Sequence, residues 1–334
     1  MLQSFFAVLR RHASKHFGSL ALCAVLGTTC LAQAQVTLLV PNRASVESPA
    51  VEPAKAGAAR DKNVRGGDDR GQPAPGTKNA GQKTPGETPD AQKAENGPAG
   101  TGEEVDLLIT MMQPFTQNCL VMDMPELFAV LRYDDTMPVS DGILQGERLD
   151  LLGDLEEIRY LDKKAWAANV ALDKPGLYQF SIDSRPWWDA RRDRFLQHYV
   201  KTMLPVHGVE RGWDTPVAQR FEIQPLVRPF GLTAPALFSG RVLLNGEPLR
   251  GAAMRLARIN TDKSLAPTRW HEELASISDA TGQFAFVVNQ PGWWCCMAQT
   301  PGLPLKGPDG ASRPLDLGAL FWFYVDAPTE NGKR

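Results

Sequence analysis

The sequence has none of the short motifs that mark common classes of enzyme. It contains no G-x-S-x-G nucleophile elbow, no H-E-x-x-H zinc motif, no Walker phosphate loop and no Rossmann glycine pattern. Histidine is scarce, and after residue 34 only His198, His207 and His271 occur. Three scattered histidines leave a Ser-His-Asp arrangement open, but nothing in the sequence indicates one. We therefore predict that the protein is not an enzyme.

Long apolar runs are missing beyond residue 34. The best later candidate, LFWFYV at residues 320–325, is far shorter than the roughly 18 apolar residues that cross a bilayer. At the N-terminus, three basic residues precede the apolar run SLALCAVLGTTCLA, and Ala-Gln-Ala at residues 32–34 fits a signal-peptidase site. These features predict a signal peptide over residues 1–34 and a periplasmic protein that begins at Gln35. An uncleaved N-terminal anchor is the alternative, which the short run disfavours.

Charge of one sign does not dominate the sequence either. The formal net charge is -2, and no basic stripe is present, so we expect no nucleic-acid partner. A stretch from about residue 46 to 103 lacks packing residues, and from residue 50 onward it has no aromatic residue and no Leu, Ile or Met. Such a segment buries too little apolar surface to offset its ordering entropy. We predict a disordered insert, with a recognition arm that orders on a partner as the alternative.

Short strands dominate the remainder of the sequence. Runs such as LFAVLRY, WAANVAL and GLYQFSI alternate or are apolar, and turn clusters separate them. Asn245-Gly246 lies between two such runs and is typical of a hairpin, because both residues tolerate positive φ. Many short strands without intervening helices predict an all-β fold built of β-sandwiches.

The stretch QPGWWCCMAQ at residues 290–299 combines two tryptophans with two cysteines. Alternate side chains of a strand point to opposite faces, so Cys295 and Cys296 diverge. Neither a bridge between them nor one zinc ion held by both is then feasible. We predict tryptophans that pack a sheet with a buried thiol beside them. A disulfide from one of the two cysteines to Cys119 stays open, since export permits disulfides.

One block has a helical period. In RFLQHYVKTMLPVHG at residues 194–208, the large apolar residues recur at helical spacing, although the Tyr-Val-x-Thr centre favours a strand.

Several blocks together resemble a known family: GLYQFSIDSRPWWDARRDRFLQHYVKTMLPVHGVERGWDTPV, EIQPLVRPFGL, FSGRVLLNGEPLRGA, SDATGQFAF, GWW and LGALFWFYVD. The sequence resembles exported bacterial proteins associated with nickel or cobalt uptake, labelled nickel-uptake substrate-specific, NikM-like or periplasmic component of cobalt transport. The resemblance covers nearly everything outside the signal peptide and the insert.

The resemblance implies a domain organisation. An N-terminal β-sandwich domain would span residues 35–220, with the insert inside it, and a C-terminal sandwich similar to transthyretin or Cna-B domains would span residues 221–328, before a tail at residues 329–334. It also implies that the HYVK block is a strand. An accessory role in transition-metal uptake follows, with an inner-membrane permease as the expected partner.

A direct metal role is less well supported. Relatives begin with a histidine and carry His-Pro-Phe where this sequence has Gln-Pro-Phe at residues 113–115. The remaining candidate is His198 in the HYVK motif, with Glu210 and Asp214 as carboxylate ligands for a nickel or cobalt ion, because imidazole suits these ions. A hydrogen-bonded structural histidine is the alternative.

Soft sulfur ligands form a second group, Met111, Met112, Cys119, Met122 and Met124, which would suit Cu(I) but more commonly packs a core. We therefore predict an exported accessory component of nickel or cobalt uptake that binds the ion or a transporter. A metal-independent periplasmic binding or scaffold module is the alternative function.

Overall fold

The computed structural model describes residues 34–47 and 102–329. Residues 1–33 of the predicted signal peptide and most of the predicted insert lie outside the described residues, as does nearly all of the tail. The limits of the insert need correction, because both of its predicted ends are ordered. Val46 is 4% exposed and pairs with Val206, and Glu103 opens a long strand.

The described chain is all-β, which confirms the predicted fold class. Its only helical segments are two 3-10 turns, Leu152–Asp154 and Arg269–His271. No helix in the described part of the chain is long and apolar enough to span a membrane. The strands, in chain order, are β1 Val36–Pro41, β2 Glu103–Gln113, β3 Asn118–Leu120, β4 Leu127–Tyr133, β5 Val139–Ser140, β6 Ile143–Leu144, β7 Glu147–Asp150, β8 Glu156–Tyr160, β9 Lys163–Leu172, β10 Gly176–Asp183, β11 Trp187–Asp189, β12 Arg194–Val206, β13 Phe221–Pro225, β14 Leu232–Thr233, β15 Ala236–Leu244, β16 Glu247–Pro248, β17 Ala253–Arg258, β18 Leu274–Ile277, β19 Gln283–Val288, β20 Gly292–Pro301, β21 Leu305–Lys306, β22 Ser312–Arg313 and β23 Leu315–Asp326.

A ten-stranded sheet forms the centre of the fold. Its strand order is β18-β17-β20-β23-β12-β10-β4-β7, with β11 and β14 attached at its sides. One smaller sheet has the order β1-β2-β9-β8 with β3 beside β2, and another has the order β13-β15-β16 with β19 beside β15. Two hydrophobic cores result, one between the central sheet and each smaller sheet.

Strand β20 shows how the central sheet serves both cores. Cys295 and Met297 belong to the core against β1, β2 and β9, whereas Cys296 and Ala298 belong to the core against β13, β15 and β19. Likewise, Trp293 packs against the first of these cores, and Trp294 belongs to the second. The predicted alternation of this stretch is therefore confirmed, and all three described cysteines are free and buried.

The predicted domain boundary at residue 220 falls within a continuous sheet. Strand β23, from the predicted C-terminal domain, pairs in parallel with β12 from the predicted N-terminal domain, and in antiparallel fashion with β20. The described residues, 34–47 and 102–329, belong to one compact unit. The two predicted sandwiches thus share their middle layer, and independent domains on either side of residue 220 stay a prediction.

The HYVK block is a strand, as the resemblance implies. Strand β12 is central in its sheet, between β10 and β23, and its residues from His198 to Val206 are all buried. A strand covered on both faces has apolar residues on both faces and so loses the two-residue alternation of a half-exposed strand. That loss explains the helical period in its sequence.

Candidate functional site

His198 is a structural residue in the interior. Its side chain is 1% exposed, and its Nδ1 atom lies 2.9 Å from Thr37 Oγ1 on β1. The Thr37 carbonyl accepts a hydrogen bond from Trp322 Nε1 at 2.9 Å, so one residue of β1 is fixed to both β12 and β23. Burial lowers the pKa of His198 from 6.5 to about 4, which keeps the imidazole neutral at physiological pH.

Glycine at position 318 makes room for this ring. Gly318 on β23 is the parallel partner of His198, and a Cβ atom there would lie 2.7 Å from His198 Cδ2. Any side chain at this position would push the imidazole off its place against β1.

The other two predicted metal ligands lie at the surface. Glu210 is exposed, and its Oε2 atom is 2.5 Å from the Arg228 guanidinium. Asp214 is also exposed, and its carbonyl accepts a hydrogen bond from Gln224. Among residues 34–47 and 102–329, no group of three or more His, Cys, Asp and Glu side chains is placed to hold a metal ion. The structure therefore does not assemble His198, Glu210 and Asp214 into a site.

The predicted sulfur group consists mainly of core residues. Met111, Met112, Cys119 and Met122 are at most 4% exposed and pack in the core against β1, while Met124 is at the surface. Burial raises the pKa of the Cys119 thiol, and it raises those of Cys295 and Cys296 well above their ordinary value. Thiolates, the form that binds metals, are thereby disfavoured.

A cleft of about 290 Å³ brings together the blocks that carry the family resemblance. We call it the motif cleft. Its lining residues are 44–47, 203, 205, 208–210, 228–231, 293, 322–324 and 326. Apart from residues 44–47, they come from the HYVKTMLPVHGVE, RPFGL, GWW and LGALFWFYVD blocks, which lie far apart along the chain.

One wall of the motif cleft is the rim segment, residues 44–47. Val46 N–H donates to the Pro205 carbonyl at 2.9 Å, and His207 N–H donates to the Val46 carbonyl at 2.7 Å. His207 has a φ of 56° at the turn that follows β12, which directs Gly208 and Glu210 toward the cleft. The turn at residues 228–231 also lines the cleft, and Gly231 in this turn has a φ of 66°.

Aromatic rings give the cleft its apolar surface. Trp293 and Tyr324 are cross-strand partners on β20 and β23, and their rings meet edge to face with centroids 5.5 Å apart. Phe230 is the third ring in the lining, and the Arg228 guanidinium lies 5.5 Å over it. All three rings are half-buried, so each presents part of its surface to the cleft.

Carboxylates dominate the charge of the cleft. Glu47, Glu210 and Asp326 are exposed at its lining, and Arg228 is the one cation that residues 34–47 and 102–329 place there. Since Arg228 already pairs with Glu210, the carboxylates of Glu47 and Asp326 make the cleft negative. The sequence analysis missed Trp293, Phe230 and Tyr324 as site residues. Their presence in the blocks that resemble the family could have indicated a site. The periodicity of the sequence alone predicts only that these three residues pack in a core.

Comparisons with known proteins place the chain in a family without identifying a function. Solved structures that align include a chain of the complex of Dpr2 Ig1-Ig2 with DIP-Theta Ig1-Ig3 (11% identity, 69% of this chain and 93% of that chain, TM-score 0.18). A second is a putative carbohydrate binding protein from Bacteroides uniformis (7% identity, 64% of this chain and 96% of that chain, TM-score 0.20). A third is BcpA, the major pilin subunit of Bacillus cereus (12% identity, 69% of this chain and 64% of that chain, TM-score 0.15). No curated protein matches the chain. A family described as a domain of unknown function (DUF4198) matches residues 88–302, more than half of the chain, so the protein belongs to that family.

Proposed function

We propose that the protein is a non-enzymatic binding module whose ligand site is the motif cleft. The observation that carries this proposal is the convergence on one concave surface of the blocks that resemble the family, lined by aromatic rings and by the carboxylates of Glu47 and Asp326, for which the described residues provide no salt bridge. A few convergent polar groups in an apolar cleft are typical of a binding site.

The lining favours a ligand that carries positive charge beside an apolar face. The ring faces of Trp293 and Tyr324 attract cations through their quadrupoles, and carboxylates of Glu47 and Asp326 add Coulomb attraction. Arg228 is held by Glu210 and Phe230, which removes the group that would otherwise draw an anion. A basic side chain of a partner protein has this combination of properties.

An accessory role in nickel or cobalt uptake is the second candidate function. It rests on the resemblance and on the position of the matched blocks at the cleft. In this role the exported protein acts in the periplasm and contacts an inner-membrane permease through the motif cleft, without an ion coordinated by His198. The two candidates therefore agree on the site and differ in the partner.

Binding of short peptides tests the cleft directly. Calorimetry would compare the tripeptide Lys-Trp-Lys with Glu-Trp-Glu on the purified protein. We expect only the basic peptide to bind, with weakening as salt rises, because the attracting carboxylates are solvent-exposed. Trp293→Ala and Asp326→Asn should each weaken binding at least tenfold, while Leu303→Ala, an exposed leucine outside the cleft, should not.

Equal binding of the two peptides, or binding untouched by both cleft variants, would show that the motif cleft is not the site. Titration with nickel chloride separates the candidate functions. Nickel binding that His198→Gln abolishes would restore the direct metal role, and nickel binding that depends on Asp326 would assign the ion to the cleft itself.

A further inference from the structure

Strand β18 forms one end of the central sheet and has an open side. Among the described residues, no strand pairs with β18 except β17. Ser278 N–H donates to the Ala252 carbonyl, and this pair continues the register of β17 and β18. Since hydrogen-bonded and non-hydrogen-bonded pairs alternate in antiparallel sheets, Ala275 and Ile277 direct their backbone N–H and C=O groups away from β17.

This edge lacks the charged side chains and prolines that discourage strand pairing at many sheet edges. At the opposite end of the same sheet, β7 carries Glu147, Arg148 and Asp150, and charged side chains discourage the addition of another strand. Strand β18 has the sequence LASI, with no charge and no proline. Its Ile277 side chain is 68% exposed. The edge is therefore chemically ready to accept a strand.

A second cavity, of about 330 Å³, opens beside this edge. Leu274, the first residue of β18, lines it, and the buried side chains of Leu256 and Trp294 lie at its base. The loop between β17 and β18 forms its rim with Leu265 and Trp270, which are 95% and 68% exposed. Two large apolar side chains held so far into water at one rim indicate a surface that another molecule covers.

The rim loop is fixed in place by hydrogen bonds. The Asn260 side chain bonds both the N–H and the carbonyl of Ser264, and Arg258 pairs with Asp262 at 2.8 Å. The Arg269 guanidinium lies 5.6 Å over the Trp270 ring. Because the loop is braced, the exposure of its apolar side chains is a property of the folded state.

Acidic residues mark both ends of the edge. Glu272 and Glu273 precede β18, and Asp279 follows it by two positions. Arg255 pairs with Glu273, whereas Glu272 and Asp279 have no salt bridge within the described part of the chain, and backbone N–H groups bond Asp279. A partner segment with basic residues on either side of an apolar one is complementary in charge and in shape.

We infer that β18 is a docking edge for an extended segment of a partner protein. The segment adds a strand through the outward backbone groups of Ala275 and Ile277. One of its apolar side chains enters the cavity under Trp270 and Leu265, and its basic residues lie near Glu272 and Asp279. Main-chain hydrogen bonds then give affinity, and the cavity gives specificity, as in other cases of strand addition.

Selection from a library of random dodecamer peptides displayed on phage tests this inference. Enriched peptides should share a large apolar residue flanked by Lys or Arg, and a synthetic copy should bind the purified protein. We expect Trp270→Ala and Ala275→Pro to weaken binding at least tenfold. Proline at position 275 removes an outward N–H and spares the bonds to β17, so thermal stability should be nearly unchanged. Leu303→Ala, an exposed leucine elsewhere, is the matched control.

A peptide with N-methyl groups on alternate amides tests the backbone pairing without a change in the protein, and it should not bind. The inference is overturned if no peptide is enriched. It is also overturned if enriched peptides bind the two protein variants as tightly as the parent protein, and if their N-methylated forms bind as tightly as the unmethylated peptides. It is equally overturned if Trp270 instead governs binding to phosphatidylglycerol vesicles or self-association, since the covering molecule would then be a membrane or a second copy.

Discussion

His198 connects β12 to β1 through Thr37, and its buried imidazole makes stability depend on pH. The folded-state pKa of about 4 lies below the ordinary 6.5. Between these values the unfolded chain binds a proton that the folded chain does not, so stability falls as pH drops from about 6.5 toward 4. From pH 7 to pH 4.5 this group should remove on the order of 2–3 kcal/mol.

Urea unfolding of the parent and His198→Gln at pH 7 and pH 4.5 measures this contribution. The carboxylates titrate in both proteins, so the change in the difference between them isolates residue 198. We expect the parent to lose on the order of 2–3 kcal/mol more than the variant. Parallel losses in the two proteins would mean that the imidazole is not held neutral by burial.

The ion pair between Lys201 on β12 and Glu222 on β13 is buried, with side chains 1% and 2% exposed and Nζ 3.0 Å from Oε2. Val217 N–H donates to the same oxygen at 3.1 Å. Lys201→Met alone should cost about 3–5 kcal/mol, because an uncompensated carboxylate stays buried. Adding Glu222→Gln should recover much of that loss, since the amide keeps an acceptor for Val217.

Chemical denaturation of both single variants and the double variant measures the coupling between the two residues. Arg43→Ala is the matched control, because its pair with Glu103 is about 40% exposed and should be worth at most about 1 kcal/mol. A Lys201→Met variant as stable as the Arg43→Ala variant would contradict the placement of the pair in the interior.

The geometry of strand β20 predicts how its cysteine thiols react and whether they form a disulfide. Cys295 and Cys296 face different cores, are free, and have pKa values raised well above the ordinary value by burial. We expect Cys119, Cys295 and Cys296 of the native protein to react with a thiol reagent only at the rate of unfolding, and all three to react in urea. Peptide mapping without reduction should find no bridge between residues 295 and 296. Rapid labelling in the native state, or such a bridge, would show that the strand is irregular.

At the scale of elements, the sequence predicts local geometry well and long-range pairing poorly. The opposite orientation of the Cys295 and Cys296 side chains follows from strand alternation alone, because this alternation does not depend on which strands lie beside β20. The parallel pairing of β12 with β23 joins residues more than a hundred positions apart, and no turn signal specifies it. Trp293 becomes a cleft residue only through that pairing, so its role was not visible in its strand.

The same reasoning explains why the candidate metal site fails to form. Glu210 and Asp214 are near His198 along the chain, yet β12 runs on for eight residues beyond His198 to Val206. At about 3.3 Å per residue, a strand of that length carries the following turn well away from the imidazole. Glu210 and Asp214 are therefore close to His198 along the chain but not in space. Glu210 lies at the motif cleft, and Asp214 lies at the surface.

At the scale of the whole molecule, the shared central sheet should make the described chain unfold as one unit. Strands β12, β20 and β23 supply side chains to both cores, so neither core can lose its order while the middle layer stays intact. Phe180 and Phe238 are fully buried, one in each core. Phe180→Leu and Phe238→Leu should each cost on the order of 1–2 kcal/mol.

Calorimetry and near-ultraviolet circular dichroism of these two variants distinguish one unit from two. If the sheet couples the cores, each variant shows a single transition, shifted to lower temperature as a whole and coincident by both methods. Independent domains divided at residue 220 would instead give two transitions, with Phe238→Leu moving only one of them. A fragment of residues 221–334 offers a further check, because β23 then lacks its partner β12, and Leu320 and Trp322 lose the core that they form with β1, β2 and β9. We expect that fragment to aggregate or remain unfolded, whereas an independent sandwich would fold.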